Sequence, residues 1–205
     1  MTQVSDELST CLEAIKALPR GRRLVAVAGP PGSGKSTLAD ALADQLTAQG
    51  RPAVVVPMDG FHLDNTILME RGLFDRKGAP ETFDVYGFVD LVIRLKQPSD
   101  LRIPQFDRQR DCVVPDSAVV TSSSEVIIVE GNYLLLDESN WRDLAAQWDL
   151  SIFINKPLPI LRSRLVQRWL DFGLDEDAAI RRAEGNDLPN ARRVLQNRLA
   201  ADLGL

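Results

Sequence analysis

One histidine, His62, and two cysteines, Cys11 and Cys112, are all the chain has of the side chains that bind transition metals best. The cysteines lie far apart and match no metal-ligand spacing, which excludes a zinc-ribbon site or a disulfide framework and suits a reducing cytoplasm. No stretch is long and apolar enough to span a bilayer, and the N-terminus lacks the apolar core of a signal peptide, so a cytoplasmic location without a membrane partner is expected. Basic residues are dispersed and the net charge is −5, which is not the electrostatic footprint of a duplex-binding protein; nucleic acid is not an expected partner. Internal repeats and low-complexity tracts are absent, and no heptad or unpartnered apolar face is evident, which leaves the oligomeric state open. What is present is 205 residues, 44% hydrophobic and 26% charged, enough for one substantial core and hence a single domain over 1–205 with a small appendage.

The most informative stretch is Gly29 to Thr37, GPPGSGKST. It follows the apolar run Leu24 to Ala28 and precedes a helical run from Ser36, the strand-then-helix setting that a phosphate-binding loop requires. Gly29, Gly32 and Gly34 allow a tight turn in which backbone N–H groups approach an anion that any side chain would crowd. Pro30, Pro31 and Ser33 complete the loop, Lys35 brings a mobile charge to the β- and γ-phosphates, and the hydroxyls of Ser36 and Thr37 follow, Ser36 being sized for a magnesium ion. The helix behind aims its positive dipole end at the site. The expected cofactors are ATP and Mg2+.

Along the chain, residues 4 to 18 place Val4, Leu8, Cys11, Leu12, Ile15 and Leu18 on one helix face. The helix after the loop is expected to run to about Gln49, with Gly50 as its stop. Ala53 to Val56 reads as a second buried strand, and with one helix between the two strands Asp59 should emerge at the same sheet edge as the loop. Gly60 to Phe83 loses periodicity and is too long for a mere connector. A short helix is expected over Asn65 to Arg71, and a longer one over Val85 to Gln97, capped by Asp84. Leu101 to Phe106 and Cys112 to Val114 suggest a small hairpin. Val126 to Val129 is a third strand ending in Glu130, then come a helix over Ser139 to Gln147 and a fourth strand over Leu150 to Ile154. A helix after Pro157 runs through about Phe172, and an acidic-start helix covers Asp175 to Glu184. The tail is expected to turn at Asn186 to Asn190 and to continue as strand or helix. The fold class is therefore α/β: a three-layer P-loop NTPase fold with a mainly parallel sheet flanked by helices, an insert over about 60–115 carrying the hairpin, and a helical lid over about 158–185.

Three strand ends thus converge on one edge. Phosphoryl transfer to an alcohol needs a phosphate cradle, a metal and a base. Asp59 is the candidate base, and Ser36 and Glu130 are the candidate magnesium ligands, Glu130 through water. Each acid could otherwise be a helix cap or a solvated strand end. His62, three residues past Asp59, is a candidate contact to the acceptor or an exposed loop residue. Arg162, Arg164 and Arg168 ride one helix; Arg164 and Arg168 share a face that Arg162 does not, so a clamp on one phosphate can use only some of them.

The segments GPPGSGKST, VPMDGFHLDN, RGLFDRKGAPETFD, PQFDR, VIIVEGNYLLL and NDLPNARRV together resemble the uridine kinase, phosphoribulokinase and bacterial pantothenate kinase superfamily of P-loop kinases. The branch labelled fructose transport system kinase or nucleoside kinase-like is the most similar. The resemblance spans about Leu24 to Val194. It implies that Asp59 is the catalytic base, that Glu130 helps hold magnesium and that Arg164 and Arg168 contact phosphates. RKGAPETFD resembles the acceptor-lining stretch of pantothenate kinase and implicates Arg76, Lys77 and Glu81. PQFDR resembles a hairpin over the acceptor and implicates Phe106, Asp107 and Arg108, while NDLPN resembles the loop beside adenine and implicates Asn186 and Asn190. Two departures stand out. Gly78 and Ala79 precede Pro80 where uridine kinases carry an aspartate-histidine pair, and the chain is shorter than pantothenate kinase.

The expected function is an ATP-dependent kinase acting on a hydroxyl of a small metabolite, with Lys35 and Asp59 catalytic. A nucleotide-hydrolysing switch is the first alternative. Asn155 and Lys156 mimic the start of a guanine-recognition motif, but Leu158 stands where its acid belongs. An ATP-sensing regulator is the second, and the presence of Asp59 and Glu130 argues against it.

Overall fold

The computed structural model describes residues 2–205 and the side chains of 6–205, so Val4, expected on the apolar face of the first helix, falls outside the described side chains. The chain opens with helix α1, Thr2–Ala17, and then enters a five-stranded sheet in which every neighbouring pair is parallel. Its strands are β1, Arg23–Ala28; β2, Ala53–Pro57; β5, Val126–Gly131; β6, Leu150–Phe153; and β7, Leu203–Gly204, in the order β2-β5-β1-β6-β7. Strands β3, Leu101–Asp107, and β4, Cys112–Val120, pair separately as an antiparallel hairpin.

The strands of the sheet read as nearly continuous apolar runs because both of their faces are covered. Val25 and Val27 of β1 pack with Val126 and Ile128 of β5 beneath α1 and α2, Lys35–Ala48. The alternate residues Leu24, Ala26, Ile127 and Val129 face the other layer, built by α4, Val85–Leu95, the turn Trp141–Gln147 and α7, Leu188–Gln196. A separate small cluster, Leu161, Leu165, Ala183, Leu188 and Ala191, joins helix α5, Leu158–Asp171, to residues 183–191.

Most expected elements are present within a residue or two. Asp84 caps α4 by accepting from the Gly87 N–H at 3.0 Å, Asp175 caps α6, Glu176–Arg182, through Ala178, and Asp64 caps α3, Asn65–Glu70, through Thr66.

β5 lies between β1 and β2, so the first two strands end at one edge of the sheet without being neighbours. Three expectations change. β4 runs to Val120 rather than Val114, because the register shift between Ile103 and Gln105 and the positive φ of Asp116 absorb Pro115 into the ladder. The segment before β6 is a seven-residue 3-10 helix instead of an α-helix; it starts only at Trp141, after Asn140 has taken a positive φ. The expected turn at Asn186 to Asn190 is helical throughout: α6 passes through one π turn, Ala183–Asp187, directly into α7. A π turn widens the ladder locally, and here it sits just before Pro189, which has no N–H to give. Among the described residues no helix is long and apolar enough to cross a membrane.

Candidate active site

The parallel register aligns three strand ends. Glu130 lies opposite Val27 of β1 on one side and Pro57 of β2 on the other. The phosphate loop begins two residues past Val27 and Asp59 stands two past Pro57, so all three features open onto one cleft of about 1290 Å³. That exceeds the several hundred Å3 of a typical single-ligand pocket and leaves room for two ligands side by side.

At one end of the cleft the backbone is the binding surface. Gly32 and Gly34 adopt φ of 80° and 96°, values that suit glycine. Gly34 also precedes α2 without any side-chain cap, leaving the first N–H groups of the helix free for an anion. Residues 31–37 line the cleft, while Gly29 and Pro30 are buried behind them. Arg164 of α5 donates to the carbonyls of Gly32 and Ser33 at 3.2 and 3.1 Å, tying the loop to that helix.

Beyond the loop, Ser36 Oγ donates to Glu130 Oε2 at 3.2 Å. Glu130 is buried, and burial pushes its carboxyl up against the opposing pull of Lys35. Burial also pulls the Lys35 ammonium down, while Glu130 and Asp59 hold it up. Ser36 and Glu130 are hard oxygen donors, and no group of three or more acidic, histidine or cysteine side chains capable of holding a metal occurs among the described residues. Such a sparse oxygen set fits magnesium, which keeps most of its waters and shares substrate phosphates.

The other end is assembled from side chains. Asp59 sits in the short 3-10 helix Met58–Phe61, which packs so closely on Pro104 of β3 that Gly60 has no space for a side chain. Arg108, at the tip of the hairpin, donates to Asp59 Oδ2 at 2.8 Å, and His62 Nε2 stands 4.0 Å from Oδ1. His62 is stacked on Phe83 with centroids 4.1 Å apart, and the Phe106 ring is tilted against it with centroids 4.8 Å apart. Burial lowers the pKa of its imidazole to about 4, and its Nδ1 is buried without a partner. Lys77 is nearly enclosed; its ammonium donates to Asn65 Oδ1 at 2.6 Å and to the Asp111 carbonyl at 3.0 Å, pairs with the Asp111 carboxylate at 2.8 Å and lies over the Phe106 ring.

Other sequence-predicted residues sit apart from the cleft lining. Arg76 pairs with Glu81, and Glu81 pairs with Arg193, which also holds Glu138. Asp107 caps the hairpin tip through the N–H groups of Gln109 and Arg110. Asn186 is buried and donates to the Lys77 carbonyl at 2.8 Å, while Asn190 lines the cleft beside it. Arg162 pairs with Glu184 on the outside of the lid, whereas Arg168 faces the cleft.

Several lining residues were not singled out from the sequence. Trp169 donates to Asp187, whose carboxyl burial pushes up; Arg182 lies over the Trp169 ring and donates to the Asp75 carbonyl; Asn132 follows β5 with a buried, unpartnered Oδ1. No spacing rule links these positions. Only Asn132, two residues past Glu130 on a strand end, carried a usable signal. Lys156 is held by Glu7 of α1 at 2.7 Å, at the far end of the same cleft.

Against known proteins, residues 24–171 match the family described as "Phosphoribulokinase / Uridine kinase family". The chain is 42% identical over 189 residues to the Escherichia coli (strain K12) "Uncharacterized protein YggC", covering 90% of this chain and 78% of that one. It is 35% identical to a Schizosaccharomyces pombe protein named "Putative uridine kinase", over 94% of this chain and 86% of the relative. Among solved structures, the "putative fructose transport system kinase" from Silicibacter sp. TM1040 superposes with a TM-score of 0.92 at 53% identity, covering 100% of both chains.

Proposed function

Because the chain belongs to the phosphoribulokinase and uridine kinase family, we propose that it transfers the γ-phosphoryl group of MgATP to a hydroxyl of a small metabolite, with Asp59 as the base. It is an ATP-dependent phosphotransferase with an alcohol-type acceptor. Acceptor chemistries that suit the reading are a sugar, a nucleoside and a pantothenate-like alcohol. The observation that carries the proposal is the shared edge: loop, Asp59 and Glu130 come from adjacent strands and face one cleft with room for two ligands.

In this mechanism the loop N–H groups and Lys35 hold the donor phosphates, and Arg164 keeps the loop in shape. Ser36 and Glu130 would hold magnesium, which would supply neutralisation of the phosphate charge. Asp59 takes the proton of the acceptor hydroxyl. The hydroxyl oxygen bonds to the γ-phosphorus as the bond from that phosphorus to the β–γ bridging oxygen breaks, so ADP leaves with the electron pair. His62 and Phe106 face the acceptor, and Arg168 faces the charge on the moving group.

The test is an ADP-release screen with MgATP over sugars, nucleosides, pantothenate and related alcohols, with Asp59→Asn as the blank. A specific acceptor is expected, and Asp59→Asn should lower turnover on the order of 10²-fold or more without weakening MgATP binding. Full activity in that variant would remove Asp59 from the base role. Preference for GTP with no acceptor requirement would favour a switch instead.

A further inference from the structure

Three cations line the cleft from three different elements: Lys35 from the phosphate loop, Arg168 from α5 and Arg108 from the hairpin. Their charges reach one another. Arg108 and Arg168 both push the Lys35 ammonium down, and Arg108 pushes the Arg168 guanidinium down in addition to the burial it already suffers. Arg108 uses one N–H on Asp59 Oδ2 and has no other side-chain acceptor among the described residues; Arg168 has none at all. A guanidinium carries five donors. Unused donors converging on a partly desolvated space call for an anion between them.

The position of that anion follows from Asp59. A base lies within about 2.6–3.2 Å of the hydroxyl it deprotonates, and that hydroxyl lies about 3–3.5 Å from the atom it attacks. A side chain hydrogen-bonded to the base at 2.8 Å is therefore a neighbour of the phosphoryl group's own oxygens. Arg108 is about half-exposed on a hairpin tip, so its remaining donors are free to turn toward them.

We propose that Arg108 contacts the γ-phosphoryl group and, with Arg168 opposite, clamps it from the acceptor side while steadying Asp59. The proposal rests on the kinase reading above. It differs from an acceptor-binding role for Arg108 in where the binding energy falls: on the donor's third phosphate, with no acceptor present.

That difference is measurable by calorimetric titration of MgATP and MgADP into wild type, Arg108→Gln, Arg108→Lys, Asp59→Asn and the Arg108→Gln/Asp59→Asn double variant, with circular dichroism to verify folding. Arg108→Gln should weaken MgATP about tenfold or more, the range of a lost charge-assisted hydrogen bond, and leave MgADP unchanged. Arg108→Lys should recover part of the loss. Asp59→Asn frees Arg108 from its ion pair and should tighten MgATP relative to MgADP, a gain that the double variant abolishes. An MgATP to MgADP affinity ratio that Arg108→Gln leaves unchanged overturns the proposal and leaves the kinase reading standing. Wild type that binds neither nucleotide overturns both.

Discussion

In the proposed reading, the donor end of the cleft is made of backbone and the acceptor end of side chains. At the first, Gly32, Gly34 and the uncapped start of α2 present N–H groups from a few consecutive residues. At the second, the Asp59–Arg108 pair, the Lys77–Asp111–Asn65 cluster and the His62–Phe83–Phe106 stack join residues 12 to 49 positions apart in sequence. An end built from backbone is barely altered by side-chain changes. An end built from long-range side-chain pairs can be rebuilt for a new acceptor without disturbing the donor.

The contrast is broken most strongly by acid. His62 is held neutral by burial, with a pKa lowered from 6.5 to about 4. The unfolded chain binds the proton first, so the stability present above about pH 6.5 drains away as pH falls toward about 4, by up to about 3 kcal/mol. At the donor end, burial raises the Glu130 carboxyl, which works with the opposite sign over the acidic range. The two are separated by comparing wild type with His62→Phe: urea midpoints at pH 7 and pH 4.5 should differ more in wild type. Parallel losses in the two proteins would remove His62 as the cause.

The same contrast explains what the sequence could reveal. The phosphate loop, the buried strands and the cap at Asp84 are local, so their residues and spacings sufficed. Sheet order is not local: nothing within β1, β2 or β5 says that β5 inserts between the other two. Nor did any pattern announce β7, only two residues long and containing Gly204, or the π turn that carries α6 into α7 past Pro189. At the acceptor end, sequence proximity misleads. Arg76 and Glu81 belong to the same loop as Lys77, yet they turn toward each other and Arg193, since a partly exposed ion-pair chain costs less than burying three charges in one pocket. Trp169, Asp187 and Arg182 meet only because α5 packs against α6 and the π turn that follows it.

A pair of glycines sharpens the contrast at a smaller scale. Gly32 and Gly78 both have positive φ, 80° and 100°, so alanine at either should cost about 1–3 kcal/mol in unfolding free energy. Their surroundings differ. A Cβ at Gly32 would lie 3.2 Å from Leu165 of the lid, whereas at Gly78 the nearest atom is Asn186 Nδ2 at 3.9 Å. Gly32→Ala should therefore also weaken MgATP, because the loop and lid must shift, and Gly78→Ala should leave MgATP affinity within about twofold. Equal nucleotide affinities in the two variants would mean that the donor end tolerates side chains and is less backbone-determined than its geometry implies.

The smallest effect lies on the lid helix itself, where the sequence offers three arginines and geometry divides them. Arg162 pairs with Glu184 at 2.6 Å, but both side chains are about half-exposed, and an exposed pair contributes about 0.2–1 kcal/mol. Arg164 holds two carbonyls of the phosphate loop, and Arg168 faces the cleft with its donors unused. Arg162→Ala should leave nucleotide affinity unchanged and shift the unfolding free energy by less than about 1 kcal/mol, read by thermal melts and by MgATP titration. Arg164→Ala should instead weaken MgATP and MgADP together, since it loosens the loop rather than a contact to one phosphate. If Arg162→Ala impaired nucleotide binding as much as Arg164→Ala, the lid would act as one charged face, and the division between cradle, clamp and outer surface would fail.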